Sequence, residues 1–489
     1  MRGQPTPPIG LPDSVRGRFG SAAVVMPDGF DDRLRSACAA VAEGDAEHGR
    51  DWWPLAMTWA AGGEVPALPA LVARPKAAGE VAAVLRVCSE ARVPVTAMAG
   101  RSGVCGGSVP AFGGVALDLC GLDGIVGVDD ESLLLEVRAG MFGDVLEDSL
   151  RADHGVTLGH WPQSMALSTV GGWLACRSAG QFSTRYGKIE DMVVGMEVAL
   201  ADGRLVRLGG RAPRAASGPD LLQLFVGSEG TLGVITEARL RVHPAPAAEQ
   251  RGAWSFPSFE AGLDACRRVL RRGATPAVLR LYDDRESKRN FDLDDVHALI
   301  VLDEGDPSIV EATLAVVAEE CRAGHREDDG LVDRWLSHRN DVSGLETAIT
   351  QGIVVDTCEI AASWSALPRI YAGAIEAVKA VDGAWVVSAH QSHAYTDGAC
   401  LYFTFAGQRE DGDAFYRDVW EAVTRVTLDA GGALSHHHGI GLNRGRFMQA
   451  ALGDGFDVLV GLKHALDPAG VLNPGKLGLP SPFGPVPWP

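Results

Sequence analysis

The chain has 489 residues, 46% hydrophobic and 22% charged, enough for two or three domains with a sizeable core. Lys and Arg number 44 against 63 Asp and Glu, and the net charge of −19 excludes nucleic acid as the main partner, because a phosphate backbone is held by net basic surface. Nine cysteines scattered singly, with no C-x-x-C pair, exclude a disulfide framework and a structural zinc site and read as reduced thiols of a cytoplasmic protein.

The amino terminus carries no apolar signal core, and no apolar run is long enough to span a bilayer. Residues 1–66 form a helical and loop segment. Within it, 1–20 are rich in Pro, Gly and Arg and expected to be loosely ordered, 31–43 reads as a short helix, and three tryptophans between Asp51 and Trp59 cover a pocket. Residues 67–245 form a first regular unit. Its elements are a helix over 80–92, a strand over 94–98, short strands near 115–119, 124–128 and 133–137, and helices over 142–152 and 168–180. A hairpin over 193–208 turns at Ala201-Asp202-Gly203. A linker follows at 243–250. Residues 246–430 alternate helix and strand as a second, α/β unit, and 431–489 are loop-rich.

Three glycine-rich turns stand out. The first is AGRSGVCGG (99–107), where a strand runs into a turn able to form an anion-binding nest of N–H groups. The second is GHWPQSMALSTVGGW (159–173), where Ser168 and Thr169 precede a helix whose free N–H groups suit a pyrophosphate. The third is GSEGTLGVIT (227–236), where backbone can approach a flat ring. Taken singly, these are a plain turn, an N-cap and a turn before a strand.

Together, in this order, they resemble the vanillyl-alcohol-oxidase (PCMH-type) FAD-binding family. STVGGWLACRSAG, YGKIEDMVVGMEV, SGPDLLQLFVGSEGTLGVITEARLRV and LSHHHGIG are most similar to its alkyldihydroxyacetonephosphate synthases, over roughly 68–478. The resemblance implies an α+β fold: a two-subdomain FAD-binding domain over 67–245, an α/β cap over 246–430 that shapes the substrate site, and a return of 431–489 to the flavin. It implies non-covalent FAD, held by Ala99, Gly100, Arg101, Ser102 and Gly103 in the first turn. Gln163, Ser164, Ser168, Thr169, Cys176, Arg177, Ser178 and Ala179 follow in the second segment, and Glu229, Gly230, Thr231, Gly233, Val234 and Ile235 in the third. The family it resembles usually has Gly or His, the latter a common site of flavin attachment, where this chain has Arg101. Flavin tethering at that position is therefore excluded, and the guanidinium either neutralises a phosphate or points into solvent.

On the substrate side, the resemblance singles out His436, His437, His438, Tyr402 and Arg280 as catalytic, and His160, Arg280 and Thr357 as substrate-binding. Read on their own, three adjacent imidazoles cannot face one point, and they offer proton transfer, a metal site or solvent-facing rings. Strand alternation puts Tyr402 and Thr404 on one face, with Phe403 and Phe405 on the other. Arg280 is either an anion holder or a salt-bridge partner of Asp283 or Asp284. A second arginine that the resemblance leads one to expect just before VVDTCEI has no counterpart in 344–352.

Two activities follow. One is exchange of an acyl for an alkoxy group by way of flavin N5 on a small-molecule or lipid substrate. The alternative is oxidation of a hydroxy acid or alcohol. The metal site of FAD-linked D-2-hydroxyacid dehydrogenases is not expected, since His437 stands where they have Glu, the downstream His is missing from DGACLYF, only His393 remains, and a hard-cation site needs a carboxylate. A flavin-binding scaffold without activity is a third reading. No transmembrane segment is expected, and a homodimer is the assembly to test for.

Overall fold

A computed structural model describes Pro7, residues 9–341 and residues 344–488. Residues 1–6 and 8 of the expected loose amino terminus lie outside that range. From Ile9 onward the chain is held down: Arg16–Gly17 pair with Glu64–Val65, and Ile9 and Phe19 are buried.

The first layer is a four-stranded sheet in which Leu71–Ala73, Val115–Asp118 and Val95–Met98 run parallel, with Val41–Glu43 antiparallel at one edge. Parallel strands need a crossover. The helix Ala78–Ala91 supplies it, burying Val81, Ala82, Val84, Leu85 and Cys88 at helical spacing. Val95–Met98 then opens directly into the turn 99–103. The second layer is a five-stranded antiparallel sheet with Val234–Arg241 at its centre. The small helix Val170–Cys176 packs on that strand, its first turn capped by the Thr169 hydroxyl.

The third layer is a seven-stranded sheet, antiparallel throughout, in the order 325–327, 248–256, 297–305, 278–282, 384–394, 398–407, 354–363. Period-two alternation sorts its side chains. Leu279, Leu281, Cys358, Ile360, Val387, Ala389, Leu401, Phe403 and Phe405 join one core with the helices Phe259–Arg271, Leu367–Lys379 and Gly412–Asp429. Their neighbours Arg280, Tyr282, Thr357, His390, Tyr402 and Thr404 face the other way, into a cavity.

Several elements differ from the sequence reading. The expected helix 31–43 ends at Ala37, and Val41–Glu43 is a strand. The helix expected over 168–180 spans only Val170–Cys176, because Arg177 turns left-handed at φ 58°. The expected linker 243–250 is mostly strand: His243–Pro244 pair with Val156–Thr157, and Ala248 begins the nine-residue strand that follows. The loop-rich tail contains the helix Gly455–Leu466. Trp52 and Pro54 line the cavity, while Trp53 and Trp59 pack edge-to-face with Trp488 in the buried core. Among the described residues, no helix is long and apolar enough to cross a membrane.

Candidate active site

The three glycine-rich turns converge on one cavity of about 920 Å³. It is lined by 99–103, by Gln163, Ser164, Ser168 and Thr169, by Cys176, Ser178 and Ala179, and by Glu229, Gly230, Gly233, Val234 and Ile235. From the third sheet and the tail come Arg280, Thr357, Tyr402, His437 and His438. Four expected residues do not line it. Arg177 points to the surface and pairs with Glu190. The Thr231 hydroxyl donates to the Ser228 carbonyl and closes its own turn. His160 is fully buried against Trp173 with Nε2 3.2 Å from Ser178, and burial pushes it down to about 3. His436 lies one step behind the wall, against Tyr395.

The cavity suits a dinucleotide in volume and in unmet polarity. The buried Nη1 of Arg101 and Oγ of Ser228, from two different turns, have no hydrogen-bond partner among the described residues. The turns touch closely: a Cβ on Gly100 would stand 2.0 Å from the Leu167 carbonyl, so only glycine lets 99–103 lie against 163–169.

Two buried carboxylates shape the histidine run. Glu359 accepts from the Ser435 hydroxyl at 2.6 Å, from the backbone N–H groups of His436 and His438, and from Arg444 at 3.2 Å. Burial alone would raise its pKa, but the Arg444 guanidinium and the three imidazoles hold it well below the ordinary range. Glu229 accepts from Ile440 and Gly441 N–H at 2.6 and 2.8 Å. Sequence reasoning missed Glu359 and Arg444. Alternation from Thr357 through Glu359 was the available signal.

Across four adjacent strands, Tyr282, His390, Tyr402 and Glu359 stand in register as one row. His390 stacks on Tyr402 at 4.6 Å and accepts its orientation from Glu286, which lies 2.7 Å from Nδ1. Glu286 also receives Ser388, Thr404 and Arg289. Burial would raise its pKa; His390 and Arg289 bring it down to about 2. Burial lowers His390, so at neutral pH the pair is a carboxylate and a neutral imidazole. His390 and Glu286 were also missed, since nothing near either one announces the other.

Burial drops His436 and His437 to about 3 and His438 to about 4, and raises Tyr402 well above the usual phenol. All are therefore neutral at pH 7, and one set of tautomers satisfies every link of a chain. Tyr402 donates to His437 Nε2 (2.6 Å), His437 Nδ1 to His436 Nδ1 (2.9 Å), and His436 Nε2 to Tyr395 (3.0 Å). Tyr395 donates to Ser183 (3.1 Å) and Ser183 to His393 Nδ1 (2.8 Å).

The ligand atoms of His393, His436 and His437 lie within 4.8 Å of one another, as do those of Glu359, Cys400 and His437. The sequence reading found no carboxylate here, whereas the fold brings in Glu359 from a distant strand. Its oxygens are engaged by Ser435, backbone and Arg444, both nitrogens of His436 and His437 are spent in the relay, and burial raises the Cys400 thiol well above its usual value. A resident metal would have to dismantle this network.

Arg280 donates to Tyr282 (3.0 Å) and Ser392 (3.1 Å) and forms no ion pair among the described residues. Asp283 instead caps the helix Asp284–Phe291. No arginine stands in 344–352, but one lies slightly upstream. Arg339 lines the cavity with its guanidinium over Trp161, Phe182 and Trp335 at 5.2, 4.9 and 5.6 Å, and its buried Nη1 has no partner among the described residues. Arg280 lies 5.5 Å from the same Trp335 ring.

Residues 69–209 match the FAD binding domain family and 245–477 the C-terminal domain of FAD linked oxidases. The FAD-linked oxidoreductase YgcU of Escherichia coli K12 is 31% identical over 84% of this chain and 89% of its own. The alkyldihydroxyacetonephosphate synthase of Dictyostelium discoideum is 30% identical over 85% of this chain and 74% of its own. The glycolate oxidase subunit GlcD of Bacillus subtilis is 28% identical over 86% and 92%. A solved alkyldihydroxyacetonephosphate synthase superposes with a TM-score of 0.77 at 26% identity, covering 96% of this chain and 91% of that one. p-Cresol methylhydroxylase, at 16% identity, superposes with a TM-score of 0.73 over 93% and 99% and shows the shared PCMH-type fold. Three turns built around a dinucleotide-sized cavity and these matches lead to one conclusion: the chain is an FAD-dependent enzyme and belongs to the FAD-linked oxidase family.

Proposed function

We propose that the enzyme acts on a substrate with an anionic head group and exchanges an acyl for an alkoxy group, the reaction that the resemblance to alkyldihydroxyacetonephosphate synthases implies. The observation that carries this reading is the 2.6 Å hydrogen bond between Tyr402 and His437, in a cavity that also presents Arg280 and Arg339. Bound FAD supplies the electrophilic ring at which the substrate carbon is activated. The protein's part is to hold and to move protons. Arg280 and Arg339 bind the head group by charge-assisted hydrogen bonds. The ester oxygen departs as a fatty-acid carboxylate, a fatty alcohol's oxygen takes its place, and the alcohol's proton enters the relay that begins at Tyr402. Nothing is oxidised overall. Incubating the holoenzyme with acyl-dihydroxyacetone phosphate and labelled fatty alcohol, without an electron acceptor, tests this. Label in an ether product supports it; no exchange refutes it.

A second reading, oxidation of a 2-hydroxy acid, draws on the Glu286–His390 pair. With Nδ1–H donated to Glu286, the His390 Nε2 lone pair is left as a base at the cavity wall, while the two arginines suit a carboxylate. Anaerobic bleaching of the flavin by glycolate or D-lactate, with recovery on adding an acceptor, distinguishes it from exchange.

A further inference from the structure

We infer that Arg101 is the counter-charge of the FAD diphosphate and anchors the cofactor by charge.

The side chain is 6% exposed and lines the cavity, which removes the solvent-facing alternative. It forms no ion pair among the described residues, and its buried Nη1 has no hydrogen-bond partner there. The two other arginines buried to this degree among the described residues are engaged. Arg50 pairs with Glu47, and Arg444 with Glu359. A buried guanidinium left without an anion is costly, and in a chain of net charge −19 a carboxylate partner would have been easy to supply. What Arg101 has instead is its place in a glycine-rich turn, whose left-handed backbone suits an anion-binding nest of N–H groups.

The backbone points the same way. Arg101 sits at φ 55°, a left-handed conformation that glycine adopts freely and arginine rarely. A glycine would relieve that conformation, so the side chain is kept for what it reaches. The turn is fixed on both sides, by the close approach of Gly100 to Leu167 and by the hydrogen bond from Trp52 N–H to the Gly103 carbonyl at 2.9 Å, so the guanidinium is presented by a rigid base. A planar fork of donors suits the oxygens of a diphosphate.

This inference rests on the FAD assignment, and its test separates the two. Apoprotein is titrated with FAD, and with ADP as competitor, at several salt concentrations, for the wild type, Arg101→Gly and Arg101→Lys. The glycine variant removes the charge at a backbone angle glycine favours, and the melting temperature of its apoprotein should match or exceed the wild type. The expected result is a 10- to 100-fold weaker Kd for FAD in Arg101→Gly, a parallel loss for ADP, a shallower dependence of Kd on salt, and partial recovery in Arg101→Lys. An FAD affinity within threefold of the wild type overturns the inference and assigns the cation to the substrate. A loss of FAD affinity with undiminished salt dependence and unchanged ADP binding also overturns it. A wild-type apoprotein that does not take up FAD contradicts the cofactor itself.

Discussion

At the residue scale, Tyr402 and Arg339 make the sharpest predictions. Tyr402→Phe should keep the fold and the flavin spectrum but lower turnover by about 10²- to 10⁴-fold, the usual range for a lost proton-transfer group; stopped-flow or label-exchange rates check it. Unchanged turnover would remove Tyr402 from the reaction. Arg339→Ala should raise the Kd or KM for an anionic substrate by about 10- to 100-fold, corresponding to ~1.5–3 kcal/mol for hydrogen bonds to a charged group, with a smaller effect on a neutral analogue. Strand alternation and motif context both point at Tyr402, and motif context alone at Arg280. Arg339 was not legible. It lies just upstream of 344–352, where a counterpart was sought, and its place in the cavity is set by Trp161, Phe182 and Trp335, far from one another in sequence. His390 and Glu286 were opaque for the same reason, since 104 positions separate two groups that meet at 2.7 Å.

At the element scale, the segment Ser435–Gly441 has little hydrophobic anchorage and is held by carboxylates from two other parts of the fold. Removing one partner of a buried pair strands the other, so Glu359→Ala should cost ~3–5 kcal/mol, read as a lower denaturant midpoint. Glu359→Gln should cost less and shift the environment of the imidazoles, visible in their NMR signals. Gly441→Ala should be poorly tolerated: its φ is 53°, and an added Cβ would stand 2.1 Å from the Cys105 carbonyl. Elements of strong periodicity were read well: the helix expected over 80–92 is observed over 78–91, and the hairpin 193–208 turns where Ala201-Asp202-Gly203 said it would. The linker reading of 243–250 failed because Pro and Ala suggested a loop, while its pairing partners, Val156–Thr157 and Glu304–Gly305 among them, lie far away in sequence.

For the whole molecule, acid sensitivity can be assigned to single groups. His160 titrates near 6.5 when unfolded and is held at about 3 in the fold. A depressed folded pKa contributes stability that is complete above pH ~6.5 and lost as pH falls toward 3. Replacing His160 by Asn should therefore flatten the decline: between pH 7 and 5 the wild type should lose about 2 kcal/mol more than the variant in urea unfolding. Acid precipitation should release the flavin into the supernatant, and colour retained in the pellet would show a covalent link. The α+β class and the FAD cofactor were legible because three motifs occur together in order. The meeting of Glu359 with His437 was not, because it belongs to no local stretch of chain.

The row Tyr282–His390–Tyr402–Glu359 gives strand pairing a chemical meaning. Sliding the strand Gly398–Gly407 by a single residue would present Phe403 where the phenol stands and turn the tyrosine into the apolar interior. A one-residue insertion or deletion in that strand should thus abolish activity more thoroughly than most substitutions at the cavity wall, and diverging relatives should change length in the loops before they change it there.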